Sequence, residues 1–150
     1  MSRAFTKEDD AGDDLPELPM PEGPNYVTAR GVELLRAAVH DLMARRAKAA
    51  DPKPIDRDLR YLAARIDSAI IVTHGSGPEA RFGAAVTLKD ENGAITTFRI
   101  VGEDEARAGS DLMPWSAPLA QAVLGAKAGD NVSWEGPDGP ARYVVVSVAY

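Results

Sequence analysis

The sequence predicts an α+β protein, in which an antiparallel helical hairpin precedes a small antiparallel sheet that carries one short helix. In the first half, apolar residues recur at alternating spacings of three and four, which is typical of coiled-coil helices. In the second half, β-branched runs alternate with Gly-rich turns, which is typical of antiparallel strands. The hairpin is therefore expected over residues 26–70 and the β-domain over residues 71–150.

Residues 1–25 are expected to form a disordered, acidic, Pro-rich tail. They contain four prolines, seven acidic and two basic residues, and such a segment buries too little apolar surface to offset its ordering entropy. The rest of the chain is nearly neutral, which disfavours nucleic-acid binding through counterion release. We expect a solubilising tail; an arm that mimics nucleic acid or guards a basic site is the alternative.

The composition excludes several other classes of protein. The chain has no cysteine, which removes disulfides and thiolate metal sites and suits the cytoplasm. No apolar run approaches the length of a membrane span, and the acidic first residues are unlike a signal peptide. A cytoplasmic protein with no membrane partner is therefore expected.

The first helix is predicted to begin at Thr28, a good N-cap residue. Its capping box is incomplete, because Gly31 occupies the position at which Glu is preferred. The apolar seam then follows as Val32, Leu35, Val39 and Leu42.

Two prolines predict the turn of the hairpin. Pro52 ends the first helix, and Pro54 fits the first turn of the second. The seam resumes as Ile55, Leu59, Leu62 and Ile66. Helices joined by so short a connection pack antiparallel, so a short coiled coil is expected.

The β-domain is predicted from its turns. The run "AIIVT" at 69–73 predicts a strand, and Asn92-Gly93 predicts a hairpin turn. Residues 116–125 predict the short helix, with Ser116 or Ala117 at its cap, Pro118 in its first turn and Gly125 at its end. A final hairpin is expected over residues 130–150, with the last strand tied into the sheet.

The residues give no pattern for catalysis. The two histidines, His40 and His74, lack neighbouring clusters of acids or histidines, and no zinc-type spacing or Ser-His-Asp order is present. We therefore predict no catalytic, cofactor-binding or metal-binding residues and no enzyme activity. Residue chemistry alone indicates a two-part interaction protein.

Four separated motifs resemble the GreA/GreB family of transcript-cleavage factors. They are "YVTARGVELLRAAV", "RFGAAVTLKDENGAITTFRIVGEDEA", "SAPLAQAVLGAKAGDNV" and "YVVVSVAY", and they occur in family order over roughly residues 26–150. The resemblance implies that residues 71–150 form an FKBP-like antiparallel β-domain. The short coiled coil is similar to that of the regulator of nucleoside-diphosphate kinase group.

The resemblance also implies a difference at the tip of the hairpin. Active family members have a loop resembling "GDLSENAEY", whose acidic residues hold magnesium for RNA cleavage, whereas this chain has "AADPKPID". A shorter arm cannot place a carboxylate at the same reaction centre, because misplacement by about 1 Å already costs roughly 100-fold. Asp51 and Asp56 lie near the new tip, and as turn and first-turn residues they have structural explanations.

The resemblance places the polymerase-binding contact at Trp115, Ser116, Ala117, Pro118 and Leu119. Pro118 and Leu119 match the family pattern. Ser116 falls where GreB-like members have an acidic residue, and Ala117 replaces the usual Ser. An exposed Trp115 would favour an interface, since aromatic residues are enriched at binding hot spots.

The function expected from the resemblance is a non-cleaving regulator that binds bacterial RNA polymerase core near the secondary channel. We expect a monomer without cofactors and without direct sequence-specific recognition of nucleic acid. One alternative is residual transcript cleavage through Asp51 and Asp56. The other is a peptide-binding or prolyl-isomerase-type module, which needs several convergent aromatic side chains.

Overall fold

A computed structural model describes residues 15–73 and 75–150 of the chain. By their internal contacts these residues form two compact units. The hairpin unit contains the described residues up to Gly23 together with Leu35–Ser68, and the sheet unit contains Pro24–Leu34 and Ala69–Tyr150. Within the described ranges, no helix is both long enough and apolar enough to span a bilayer.

Helix α1 spans Ala29–Arg46 and begins where the sequence predicts. Thr28 is its N-cap, because the Thr28 Oγ1 accepts a hydrogen bond from the backbone N–H of Gly31 at 2.9 Å. Three of the predicted seam residues, Val32, Leu35 and Leu42, are buried. Arg45 and Arg46 occupy the last turn, where the helix dipole favours positive charge.

Helix α2 spans Lys53–Asp67, so residues 47–52 connect the two helices. Pro52 is its N-cap and accepts a hydrogen bond from the backbone N–H of Asp56 at 2.8 Å. The seam residues predicted for α2 are half-buried, whereas Tyr61 and Arg65 are its most buried residues. A pattern that counts only apolar residues did not identify Arg65 as buried.

Part of the predicted tail contacts helix α2. Residues 1–14 of the predicted disordered tail lie outside the described residues, and residues 15–25 have neither helix nor strand. The Glu17 carboxylate accepts hydrogen bonds from the Arg60 guanidinium, the shortest at 2.7 Å. This hydrogen bond holds the pKa of Glu17 below its ordinary value. The composition of the tail did not indicate this contact.

The sheet unit contains a five-stranded sheet with the order β5-β4-β3-β7-β6. Its strands are β3 (Ala85–Asp90), β4 (Ile95–Val101), β5 (Leu112–Pro114), β6 (Asn131–Gly136) and β7 (Gly139–Ala149). The β3–β4 and β6–β7 hairpins are antiparallel, as predicted, and β7 lies in the interior of the sheet. The β4–β5 pair is parallel, so the sheet is mixed. The predicted α+β class is confirmed.

The predicted turn at Asn92-Gly93 joins β3 to β4. Gly93 has a φ of 85°, which favours glycine. The Asp90 Oδ1 accepts hydrogen bonds from the backbone N–H groups of Asn92 and Ala94, each at 2.8 Å. These bonds satisfy the backbone donors of the loop and fix the register of the hairpin.

The core of the sheet unit lies between the sheet and helix α3, which spans Pro118–Val123. Its largest fully buried side chains are Leu88, Ile100, Val86, Val101, Val123 and Val145. The helix contributes Ala120 and Val123, both fully buried. Small side chains such as Ala120 let the helix approach the sheet closely.

A second, two-stranded sheet packs beside residues 101–105. Its strands β1 (Tyr26–Val27) and β2 (Ile70–Ile71) are parallel, so both ends of the predicted hairpin range 26–70 are short strands. A Cβ atom on Gly102 would lie 2.5 Å from the Tyr26 carbonyl oxygen. Only glycine therefore permits this approach of the two backbones.

A buried carboxylate binds the N-cap residue of α1. Glu105, in a 3-10 helix (Glu105–Ala108), accepts a hydrogen bond from the Thr28 hydroxyl, and both residues are 5% exposed. A Cβ atom on Gly31 would lie 3.1 Å from the Glu105 Oε1. Glycine at position 31 thus leaves room for a carboxylate that comes from elsewhere in the chain.

We expect Thr28→Ala to lower the free energy of unfolding by about 2 kcal/mol, because it removes the N-cap and leaves the Glu105 carboxylate buried without its donor. Thr28→Ser keeps the hydroxyl and should cost less than about 1 kcal/mol. Urea unfolding of both variants measures the difference. Equal losses in the two variants would contradict this role of the hydroxyl.

Candidate functional site

The candidate site is built around the start of helix α3. Ala117 is the N-cap residue, with extended backbone at φ −62° and ψ 143°, and Pro118 occupies the first turn. This geometry follows from the sequence, because the residue before a proline is driven away from the helical region. Gly125, with a φ of 86°, follows the C-terminal end as predicted.

The five predicted docking residues differ in exposure. Ser116 and Pro118 are exposed, whereas Trp115, Ala117 and Leu119 are half-buried and pack against the core. Leu119 therefore contributes to the stability of the fold as well as to the surface. Of the five, Ser116 and Pro118 are the residues most available to a partner.

An apolar groove of about 350 Å³ lies beside this loop. Three aromatic side chains meet there: the Tyr26 ring lies edge-on to Trp115, with ring centroids 5.1 Å apart, and edge-on to Phe82 at 6.4 Å. Edge-on pairs of this kind stabilise aromatic clusters. The groove is thus a partly open aromatic pocket on the sheet unit.

Two residues of the α3 segment, Gln121 and Leu124, also line the groove. Pro118, Gln121 and Leu124 are exposed and recur every third residue, which places them on one face of the helical segment. The Gln121 Nε2 donates a hydrogen bond to the Trp115 carbonyl oxygen at 2.7 Å. This bond fixes the loop against the helix.

We call the following residues the docking surface: Tyr26, Phe82, Trp115, Ser116, Ala117, Pro118, Leu119, Gln121 and Leu124. Four of them, Tyr26, Phe82, Gln121 and Leu124, were not predicted from the sequence. The spacing of three from Pro118 could have identified Gln121 and Leu124. No local sequence pattern predicts Tyr26 or Phe82 as part of the site, because these residues come from segments that are distant in sequence and meet only in the folded chain.

The two carboxylates at the hairpin tip already have partners within the chain. The Arg46 guanidinium donates hydrogen bonds to both oxygens of Asp56, at 2.5 and 3.1 Å. The Asp51 Oδ1 accepts a hydrogen bond from the backbone N–H of Lys53 at 3.1 Å. In the described part of the chain, no three His, Asp or Glu residues are grouped to bind a metal ion.

The remaining candidates are the two histidines and a second groove. His40 is exposed on α1, and His74 lies outside the described residues. A larger groove of about 450 Å³ is lined by residues of β3, β6 and β7, including Lys89 and Arg142, and by Glu91 in the turn after β3. None of the predicted site residues lines this larger groove.

Comparison with known proteins identifies the type of β-domain. Residues 75–150 match the family described as "Transcription elongation factor, GreA/GreB, C-term". The chain is 35% identical over 100 residues to transcription elongation factor GreB of Pseudomonas syringae pv. tomato, covering 65% of this chain and 64% of GreB. It is 35% identical over 100 residues to GreA of Verminephrobacter eiseniae, covering 64% and 63% of the two chains. The match therefore spans less than two thirds of these relatives.

Solved structures that the chain matches include Gfh1 of Thermus aquaticus, with a TM-score of 0.46, 22% identity, and coverage of 85% of this chain and 99% of Gfh1. Another is a GreA/GreB factor of Nitrosomonas europaea, with a TM-score of 0.44, 22% identity, and coverage of 84% and 99%.

The match over 75–150 contains all of the docking surface except Tyr26, and it assigns the β-domain to the C-terminal domains of transcription factors. The chain belongs to the GreA/GreB family. This confirms the resemblance that the four sequence motifs indicate.

The ion pair at the tip predicts a pH effect. The hydrogen bond from Arg46 holds the pKa of Asp56 below its ordinary value. The pair therefore stabilises the folded hairpin above the ordinary pKa of Asp56, and this contribution is lost as the pH falls through the lowered pKa. Arg46→Ala should raise the pKa of Asp56 toward its ordinary value, which an NMR titration of the carboxylate measures.

The control is Arg45→Ala, since Arg45 pairs with Asp41 instead. It should leave the pKa of Asp56 unchanged. Equal shifts of the Asp56 pKa in the two variants would show that Arg46 has no specific effect.

Proposed function

We propose that this protein is a Gre-type regulator that binds bacterial RNA polymerase core near the secondary channel through its docking surface, without stimulating transcript cleavage. The observation that carries the proposal is the exposed start of α3, with Ser116 and Pro118, beside the aromatic groove within a GreA/GreB C-terminal domain. Exposed apolar and aromatic surface of this kind is typical of binding sites for proteins.

The tip of the hairpin supports the second part of the proposal. Cleavage requires carboxylates that are free to hold a metal ion and are placed to within a fraction of an ångström. Here the Asp56 carboxylate is bonded to Arg46, and the Asp51 carboxylate accepts a hydrogen bond from the backbone N–H of Lys53 in the turn before α2. Both carboxylates thus have structural roles, so they support a regulator rather than an enzyme.

The aromatic groove favours a second candidate, a peptide-binding module. Tyr26, Phe82 and Trp115 converge there, and convergent aromatic residues are what such a pocket needs. A competition experiment separates the two functions. Displacement of the protein from core polymerase by a cleavage-competent Gre factor supports the regulator, whereas binding that such a factor does not reduce supports another partner or another polymerase surface.

The docking surface is tested by Pro118→Ala combined with Leu124→Ala, which removes exposed apolar contacts without touching the core. We expect the double variant to weaken binding to core polymerase about tenfold or more, as for interface hot spots. Leu119→Ala is left out of this variant. Leu119 packs against the core, so its replacement would also affect folding. Dissociation constants from fluorescence anisotropy provide the measurement.

The matched control is Ile95→Ala combined with Val146→Ala, two residues that are 58% and 47% exposed and lie outside the docking surface. This control should bind like the unmodified protein. Unchanged affinity in the Pro118 and Leu124 variant would show that these residues do not form the polymerase-binding surface.

The absence of cleavage is tested by adding the protein and magnesium to a stalled transcription complex. We expect the RNA to be cleaved no faster than by the polymerase alone. A cleavage-competent Gre factor is the positive control. Magnesium-dependent shortening that Asp51→Ala or Asp56→Ala abolishes would instead support residual cleavage at the tip.

A further inference from the structure

A carboxylate lies directly beside the exposed part of the docking surface. The Ser116 hydroxyl donates a hydrogen bond to the Glu103 carboxylate, although the two residues are 13 positions apart. Ser116 is exposed and Glu103 is half-buried. The loop that begins α3 therefore holds a negative charge that comes from the segment after β4.

This charge has no cationic partner within the described residues: the structure gives Glu103 a hydrogen bond from Ser116 and no ion pair. The cation that lines the groove, Arg81, is paired with Glu79. The carboxylate of Glu103 is thus left to interact with solvent or with a partner.

The neighbouring surface is apolar, which strengthens an interaction made by this charge. Ser116, which bonds Glu103, lies between the groove-lining Trp115 and the exposed Pro118, so a partner that covers this loop removes water around Glu103. Charge pairs interact more strongly when water is excluded. Surfaces of complementary charge also speed association and select the correct partner.

We propose that Glu103 is the residue through which the docking surface selects a basic side chain, Lys or Arg, that lies next to an apolar residue on the partner. Ser116 acts as a positioning residue that holds the carboxylate at the edge of the loop. The inference rests on the proposed function, because it specifies the chemistry of the polymerase segment that the same surface binds.

The test measures dissociation constants for core polymerase at several salt concentrations. Glu103→Gln should weaken binding about fivefold to tenfold at low salt and make the affinity less dependent on salt, because it removes one ion pair. Glu103→Lys should weaken binding further, since like charges then face each other. A purely structural role for Glu103 would not change the salt dependence.

Two further variants complete the experiment. Ser116→Ala keeps the carboxylate but removes its donor, so we expect a smaller loss with the salt dependence retained. Glu135→Lys places the same charge change at an exposed position on β6, outside the docking surface, and should leave the affinity unchanged.

The outcomes separate the two proposals. Glu103→Lys binding as tightly as the unmodified protein, while the Pro118 and Leu124 variant is weakened, would overturn the role of Glu103 and leave the docking surface in place. Equal losses in Glu103→Lys and Glu135→Lys would also overturn it, by indicating a general charge effect. An unmodified protein that does not bind core polymerase would overturn the proposed function and this inference together.

Discussion

The hydrogen bond from Thr28 to Glu105 joins two parts of the sheet unit that are 77 positions apart in sequence. Thr28 caps α1 and follows β1, whereas Glu105 opens the 3-10 helix after β4. The carboxylate lies near the N-terminus of α1, where the dipole of the helix stabilises negative charge. Two glycines make the arrangement possible: Gly31 leaves space for the carboxylate, and Gly102 lets its backbone approach Tyr26. A side chain at either position would displace the start of the helix or the strand beside it.

The sequence predicted the elements whose signals are local. Pro52 marks the connection between the helices, and Gly93 and Gly125 mark a turn and a helix end, because each residue restricts or permits specific backbone angles. Strands β1 and β5 were not predicted, since strands of two or three residues have no periodicity and depend on distant partners. The capping box is incomplete in the sequence, and the acidic residue that contacts the cap, Glu105, lies 77 positions away and bonds the Thr28 hydroxyl.

The candidate site shows the same limit. The loop from Trp115 to Leu119 could be located from family motifs, but the exposure of its members depends on packing that no motif contains. Tyr26 and Phe82 reach the groove only through the path of the folded chain. At the hairpin tip, the sequence showed acidic residues without showing that Arg46 engages one of them. Proximity in sequence to a functional position is therefore weaker evidence than the partners that a side chain has in the fold.

The aromatic cluster in the groove makes the intrinsic tryptophan fluorescence of the protein sensitive to binding. The chain has two tryptophans: Trp115 lies in the groove, 5.1 Å from the Tyr26 ring centroid, and Trp134 lies in β6. A partner that fills the groove changes the polarity around the Trp115 indole, and so changes the wavelength and intensity of its emission. With Trp134 replaced by Phe, the intrinsic fluorescence of the protein would report the occupancy of this groove without an attached dye.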